Sequence, residues 1–255
     1  MTSLDAFKLN GCAALVTGAS ADLGAEMAVA LADAGADVAA HGNTRSPSGT
    51  CARIEALGRR AAAVTGDLGD RAVSGRLVDE AVSALGRLDI LVNNAGIIRR
   101  APAERYSDED WDSVIEVDLT AAFRLARAAG AHMIASGRGG RIINITSLLA
   151  FQGGITVPAY AAAKGGLAQL TRALANEWAS KGINVNAIAP GYMATDITTA
   201  LRADPVRSRQ ILDRIPAGRW GQPDELTGAV VFLASPAARY VHGHVLAVDG
   251  GWLGR

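Results

Sequence analysis

The chain has 255 residues, 49% hydrophobic and 20% charged, with Lys+Arg 25 against Asp+Glu 25. That length allows one large α/β core as readily as two smaller ones, and a formal net charge of zero supplies no basic field for nucleic acid or an anionic membrane. The longest apolar runs fall short of the ~18 residues a membrane span needs, the opening "MTSLDAFKLNG" has no basic region followed by an apolar one, and Cys12 and Cys51 make neither a disulfide framework nor a metal site, so a reduced cytoplasmic protein is expected.

Short β-rich runs alternate with longer helical ones from end to end. "CAALVTG" (12–18) reads as a buried strand and "GAEMAVALADAG" (24–35) as a helix closed by Gly35. "ADVAAHG" (36–42) is a second strand, and "TCARIEALG" (50–58) a second helix ended by Gly58. Further strands are expected at 60–67, 88–96, 140–147, 182–191 and 243–251, with helices at 71–85, 108–135, 159–180 and 223–234. Ser107, with Asp110 three residues on, marks the start of the helix at 108. Strands alternating with helices of this length predict a single doubly wound parallel sheet of seven strands with helices on both faces, Rossmann-like, spanning 1–255 as one domain. The long irregular stretches 96–107, 147–158 and 191–222 all follow strands. They therefore cluster at the carboxyl edge, where such sheets bind ligands, and 191–222 is placed as a lid.

Two motifs carry chemistry. "TGASADLG" (17–24) joins the first strand to the first helix, with Gly18 and Gly24 at the two ends of the turn. A helix N-terminus entered this way offers unpaired N–H groups and a positive dipole to a pyrophosphate, although a plain strand-to-helix turn has the same composition. In "PAYAAAKGG" (158–166), Tyr160 and Lys164 stand four apart on an alanine-rich helix and so share a face. A nearby ammonium favours the phenolate and should lower the tyrosine pKa, making the pair a proton donor and acceptor for a substrate oxygen. A YxxxK pair alone is more often a surface tyrosine beside a solvated lysine.

Taken in order, "TGASADLG", "GDL" (66–68), "NNAG" (93–96), "TS" (146–147), "YAAAK" (160–164) and "PGYMAT" (190–195) resemble the short-chain dehydrogenase/reductase family over essentially the whole chain. The resemblance implies that Gly18, Ser20, Leu23 and Gly24 hold the pyrophosphate of NAD, with NADP possible. It implies adenine contacts for Asp67 and Leu68, and a place for Asn94, Ala95 and Gly96 on the adenine–ribose side. Pro190, Gly191 and Thr195 would flank the nicotinamide, with Ile188 beside them, and Lys164 would also reach its ribose. Ser147, Tyr160 and Lys164 would be catalytic, with Asp118 at the fourth position, where the family usually has asparagine. Asp22 is a second departure, standing where the family has Gly or Ala.

At the end of the second strand, Gly42 and Asn43 replace the acidic residue of many NAD-selective members, and Arg45 follows close behind. The longer stretches are most similar to members acting on sugar acids. A carboxylate-bearing substrate suits an arginine fork, and Arg99 is preferred over its neighbour Arg100 as the one nearer the cofactor. Gln152, Thr156, Met193 and Trp220 would complete the substrate pocket. An acyl-carrier reductase or a gluconate or glucose dehydrogenase shares the same frame, whereas a dinucleotide sensor or a structural subunit would need no proton relay. The family also implies a homotetramer built through the long helices and the C-terminal "DGGWLGR", with no metal, no nucleic acid and no membrane partner.

Overall fold

The computed structural model describes residues 2–255. Seven strands, β1 (Ala13–Val16), β2 (Asp37–Gly42), β3 (Ala61–Thr65), β4 (Ile90–Asn93), β5 (Gly140–Ile145), β6 (Ile183–Pro190) and β7 (Val245–Val248), form one sheet in the order β3-β2-β1-β4-β5-β6-β7. Every pair is parallel. The helices α1 (Asp22–Asp33), α2 (Ser48–Ala56), α3 (Val73–Leu85), α4 (Asp108–Ile115), α5 (Ala121–Ser136), α6 (Pro158–Trp178), α7 (Thr199–Ala203), α8 (Pro205–Leu212) and α9 (Thr227–Ala234) complete the chain. Two buried clusters, one on each face of the sheet, show why the strands read as continuous apolar runs. Val16, Val38 and Val92 pack with Met27, Leu31 and Leu233 on one side, while Leu15, Leu91 and Val185 pack with Leu77, Leu125 and Trp178 on the other.

The expected elements are present with small shifts at their ends. The expected helix at 108–135 is interrupted by a π-helical turn, Glu116–Thr120, between α4 and α5. One extra residue in a turn re-aims the side chains that follow, and such insertions are frequent at functional sites. Ser107 caps α4, its hydroxyl accepting from Asp110 N–H at 3.1 Å. The stretch 191–222 contains α7 and α8 rather than loop alone.

The placement of α6 matters most, because it carries Tyr160 and Lys164. A buried polar chain runs beneath it: Asn93 Nδ2 of β4 donates to Asn144 Oδ1 of β5 at 2.9 Å, and Asn144 Nδ2 donates to Thr171 Oγ1 of α6 at 2.9 Å. Asn144 and Thr171 are fully buried, and the Thr171 hydroxyl donates on to Leu167 O. In a dry interior these bonds fix one helix position, since any other leaves polar groups unmet. Asn144→Ala should therefore lower stability by about 2–3 kcal/mol, read as a shift in the denaturant midpoint at unchanged slope. A shift of a few tenths would mean that the chain of amides contributes only packing.

Candidate functional site

The strand order reverses between β1 and β4, and the crevice at their carboxyl ends opens into three adjoining chambers. The first, about 350 Å³, is lined by Gly18, Ser20, Asp22, Leu23 and Gly24 at the start of α1, and by Asn94, Ala95 and Gly96 after β4. Ser147, Tyr160, Lys164, Pro190, Gly191, Met193 and Thr195 close it. The second, about 960 Å³, shares Gly18, Ala95 and Gly96 and adds Asn43, Asp67, Leu68 and Arg99. The third, about 360 Å³, shares Ser147, Tyr160 and Gly191 with the first and adds Arg100, Thr156 and Arg207.

The turn before α1 leaves no space at its centre. A Cβ on Gly24 would lie 2.2 Å from Gly18 O, so only glycine permits this approach. Asn94 braces the same turn, its Nδ2 donating to Thr17 O at 2.9 Å, while Thr17 Oγ1 accepts from Asn94 and Ala95 N–H at 3.0 Å each. The result is a rigid hollow at a helix N-terminus, with the shape and dipole that a pyrophosphate requires. Asp22 intrudes on that hollow. Its φ of 47° is left-handed, where glycine is at ease and aspartate is uncommon, and its Oδ2 accepts from Asp196 N–H at 3.1 Å across the cleft.

At the other end of the first chamber, Lys164 is almost completely buried, its Nζ 3.2 Å from Asp118 Oδ2 and donating to Ile145 O at 3.1 Å. Asp118 sits on the π-helical turn and is also buried, with Oδ1 accepting from Ile97 N–H at 2.7 Å. Lys164 Nζ lies 5.4 Å from the centre of the Tyr160 ring. Burial pushes the Asp118 carboxyl up, against the pull of Lys164. Burial also weighs against the Lys164 ammonium, but Asp118 and Tyr160 hold its pKa above the ordinary value.

The sequence suggests a lowered phenol pKa; the structure corrects this. Burial pushes Tyr160 up, and the downward pull of Lys164 is opposed by the Asp118 carboxylate, with Ser147 and Arg100 adding smaller downward effects. Lys164 therefore limits the rise without reversing it.

The proposed substrate residues are not all brought together. Arg99 turns towards Asp110, Nε to Oδ1 at 3.3 Å, and lines the second chamber, away from Ser147 and Tyr160. Arg100 faces the third chamber instead, because adjacent residues of an extended loop point to opposite sides. Thr156 lines that chamber with a left-handed φ of 63°. Met193 lines the first chamber, not the third. Gln152 lines none of the three, and Trp220 is committed to an apolar cluster, meeting Tyr192 edge-on at 5.6 Å. Arg207 of α8 and His41 of β2 line the chambers without having been singled out. No sequence signal marks Arg207, since it arrives from a helix far along the chain. His41 is a lone histidine in an apolar strand.

The family model described as enoyl-(acyl carrier protein) reductase matches residues 18–253. The chain belongs to the short-chain dehydrogenase/reductase family. It is 54% identical over 254 residues to a 2-dehydro-3-deoxy-D-gluconate 5-dehydrogenase of Escherichia coli, covering 99% of each chain. To the enzyme of the same name from Bacillus subtilis it is 51% identical, covering 98% of each. Among solved structures, a gluconate 5-dehydrogenase from Burkholderia cenocepacia in complex with NADP and tartrate is 40% identical, with a TM-score of 0.93 and all of both chains covered.

A dinucleotide held with its pyrophosphate at this turn would meet the Asp22 carboxylate, which lines the same chamber. Asp22→Asn keeps an acceptor for Asp196 N–H and a residue type that tolerates the left-handed backbone. It should tighten dinucleotide binding about threefold to tenfold at low salt, the size expected for removing one like charge near a solvated site. Titration by cofactor fluorescence measures this. Equal affinities at low and high salt would show that the carboxylate is turned away from the bound phosphates.

Proposed function

We propose that the protein is an NAD(P)-dependent dehydrogenase that interconverts a secondary alcohol and a ketone on a sugar acid, of the 2-dehydro-3-deoxy-D-gluconate 5-dehydrogenase type. The observation that carries this reading is the pair Arg100 and Arg207, which line one chamber with Ser147 and Tyr160. Two guanidiniums beside a proton-transfer site suit a small substrate that carries a carboxylate. The names of the relatives and the tartrate in the Burkholderia structure support the same substrate class.

When bound, the nicotinamide accepts or delivers the hydride. The chain supplies everything else. Gly18, Ser20, Leu23 and Gly24 hold the pyrophosphate, Asp67 and Leu68 the adenine, Asn43 the adenine-side ribose, and Pro190, Gly191 and Thr195 the nicotinamide side. Ser147 hydrogen-bonds the substrate oxygen, and Tyr160 takes its proton during oxidation or returns one during reduction. Lys164 stabilises the phenolate, and Asp118 keeps Lys164 in place. NAD is the expected cofactor and NADP is accepted, which the exposed Arg45 in the cleft and the NADP of the Burkholderia structure both support. The whole chain then works as one unit, with 191–222 as a lid carrying Arg207 over the substrate.

Exposed Trp111, Phe123 and Ile134 on α4 and α5 support a homotetramer. The unpaired Cys12 and Cys51 support a cytoplasmic setting. No helix among the described residues is long and apolar enough to cross a membrane.

Two experiments test this reading. Arg100→Ala should lower kcat/KM roughly tenfold to a hundredfold on a sugar acid, the worth of a hydrogen bond to a charged group, and leave a matched neutral polyol nearly unaffected. Arg99→Ala should change neither. Equal losses on both substrates would sink the carboxylate assignment. The second experiment concerns pH. Alcohol oxidation needs the phenolate, so kcat/KM rises as pH climbs through the Tyr160 ionisation. Asp118 is one of the groups holding that phenol protonated. Asp118→Asn should therefore retain activity and move the rising limb to lower pH, and a limb that stays in place would remove Asp118 from the relay.

A further inference from the structure

His41, the fifth residue of β2, is buried between two loops that the dinucleotide reading assigns to the pyrophosphate and to the adenine of the cofactor. Its Nδ1 lies 3.2 Å from Gly18 N, in the cradle before α1. Its Nε2 lies 2.9 Å from Gly66 O, just before Asp67 and Leu68. Gly18 N–H can only donate and Gly66 O can only accept, so the ring is held as the neutral tautomer with its proton on Nε2. The backbone of the same residue acts in the same direction, its carbonyl accepting from Ala19 N–H at 2.7 Å. One residue thus engages two successive amides of the cradle and, through the ring, ties them to the loop after β3.

We propose that His41 is a positioning residue of the cofactor site, a neutral imidazole strut that sets the spacing between the pyrophosphate cradle and the adenine loop. The proposal rests on the dinucleotide reading of those loops. Protonation would place an N–H at Nδ1 against the N–H of Gly18, replacing a hydrogen bond with a repulsion. Around the ring, burial disfavours the imidazolium most, Arg76 of α3 also disfavours it, and Asp67 and the Gly66 carbonyl favour it. Gly18 and Ala19 bring no charge. The ring's pKa lies below its ordinary value of about 6.5, so the strut is intact above that pH and is lost as pH falls through the lowered value.

The sign of the pH dependence separates this role from the obvious alternative. A histidine acting as a cation towards phosphate would bind the dinucleotide more tightly on acidification, whereas a neutral strut weakens it. NADH is the probe, because its pyrophosphate does not titrate near neutrality as a 2′-phosphate with a pKa of about 6 does. Its binding is followed by fluorescence from roughly pH 5.5 to 8, the range a histidine spans.

Wild-type affinity should be flat above neutrality and fall below it. His41→Asn, whose Oδ1 can take the Nδ1 bond without titrating but which is too short to reach Gly66 O, should bind about threefold more weakly than wild type at pH 8 and lose the acid limb. His41→Leu leaves the Gly18 donor unmet and should bind about tenfold more weakly throughout. Should His41→Leu fail to fold by circular dichroism, the limb in His41→Asn decides alone. Wild-type affinity in His41→Leu, an unchanged limb in His41→Asn, or tighter binding in acid would each overturn the strut. Wild type that binds neither NADH nor NADPH at pH 8 would instead overturn the dinucleotide reading itself.

Discussion

An ammonium withdrawn from water is the constraint around which this cleft is organised. Lys164 has 3% of its surface exposed, and an isolated charge at such a depth costs far more than a fold can supply. Asp118 meets it at 3.2 Å, and each member of the pair is intelligible only through the other. Removing one partner of a buried pair typically costs about 3–5 kcal/mol, because the survivor is left uncompensated. The π-helical turn between α4 and α5 follows from this need, since Asp118 lies within it and reaches both Lys164 and Ile97 N–H. The pair also sets the character of Tyr160. Burial raises the phenol's pKa most, Lys164 pulls it back, and the Asp118 carboxylate opposes that pull, so the net direction is upward.

Support for that pair extends down into the sheet. The amide chain from Asn93 through Asn144 to Thr171 fixes α6 on β4 and β5, and the same helix delivers Tyr160 and Lys164 to the carboxyl edge. On the far side of the crevice, Asn94 and Thr17 fix the turn before α1. Polar groups buried between apolar layers thus do what packing alone cannot. They select one register between the half of the sheet that carries the turn before α1 and the half that carries α6.

The architecture was legible because its signals are local and repeated. Seven apolar runs, the helices between them and glycines at the turns state a parallel sheet without reference to distant residues. That Ser147, just past β5, and Tyr160 and Lys164, early in α6, share one chamber was legible for the same reason, each standing in a short motif. The other chamber residues were less so. Arg99 and Arg100 alternate in direction along an extended loop, and the Asp110 carboxylate that engages Arg99 shows which of them turns away from the third chamber. Trp220 reads as a pocket residue until Tyr192 and Trp252 are seen to occupy the space around it. Arg207 and His41 depend on long-range placement, one through a helix over the cleft and the other through a strand beside it. The raised Tyr160 pKa was hidden because spacing reveals the lysine but not the carboxylate and the burial that offset it.

Asp22 and Asp118 both place a carboxylate at the first chamber or its wall, yet their surroundings treat the charge differently. Asp118 is enclosed and matched by an ammonium and a backbone N–H, so its charge is balanced within the protein. Asp22 has only the N–H of Asp196 at 3.1 Å. The ion pair that Asp196 itself makes, with Arg45 at 3.9 Å, is exposed on both sides and contributes little in water. The charge of Asp22 therefore remains in the cradle, screened by solvent rather than matched by the protein. A carboxylate can be absorbed into this fold where burial forces a partner on it. Where solvent does the screening, it stays a repulsion that any phosphate entering the cleft has to overcome.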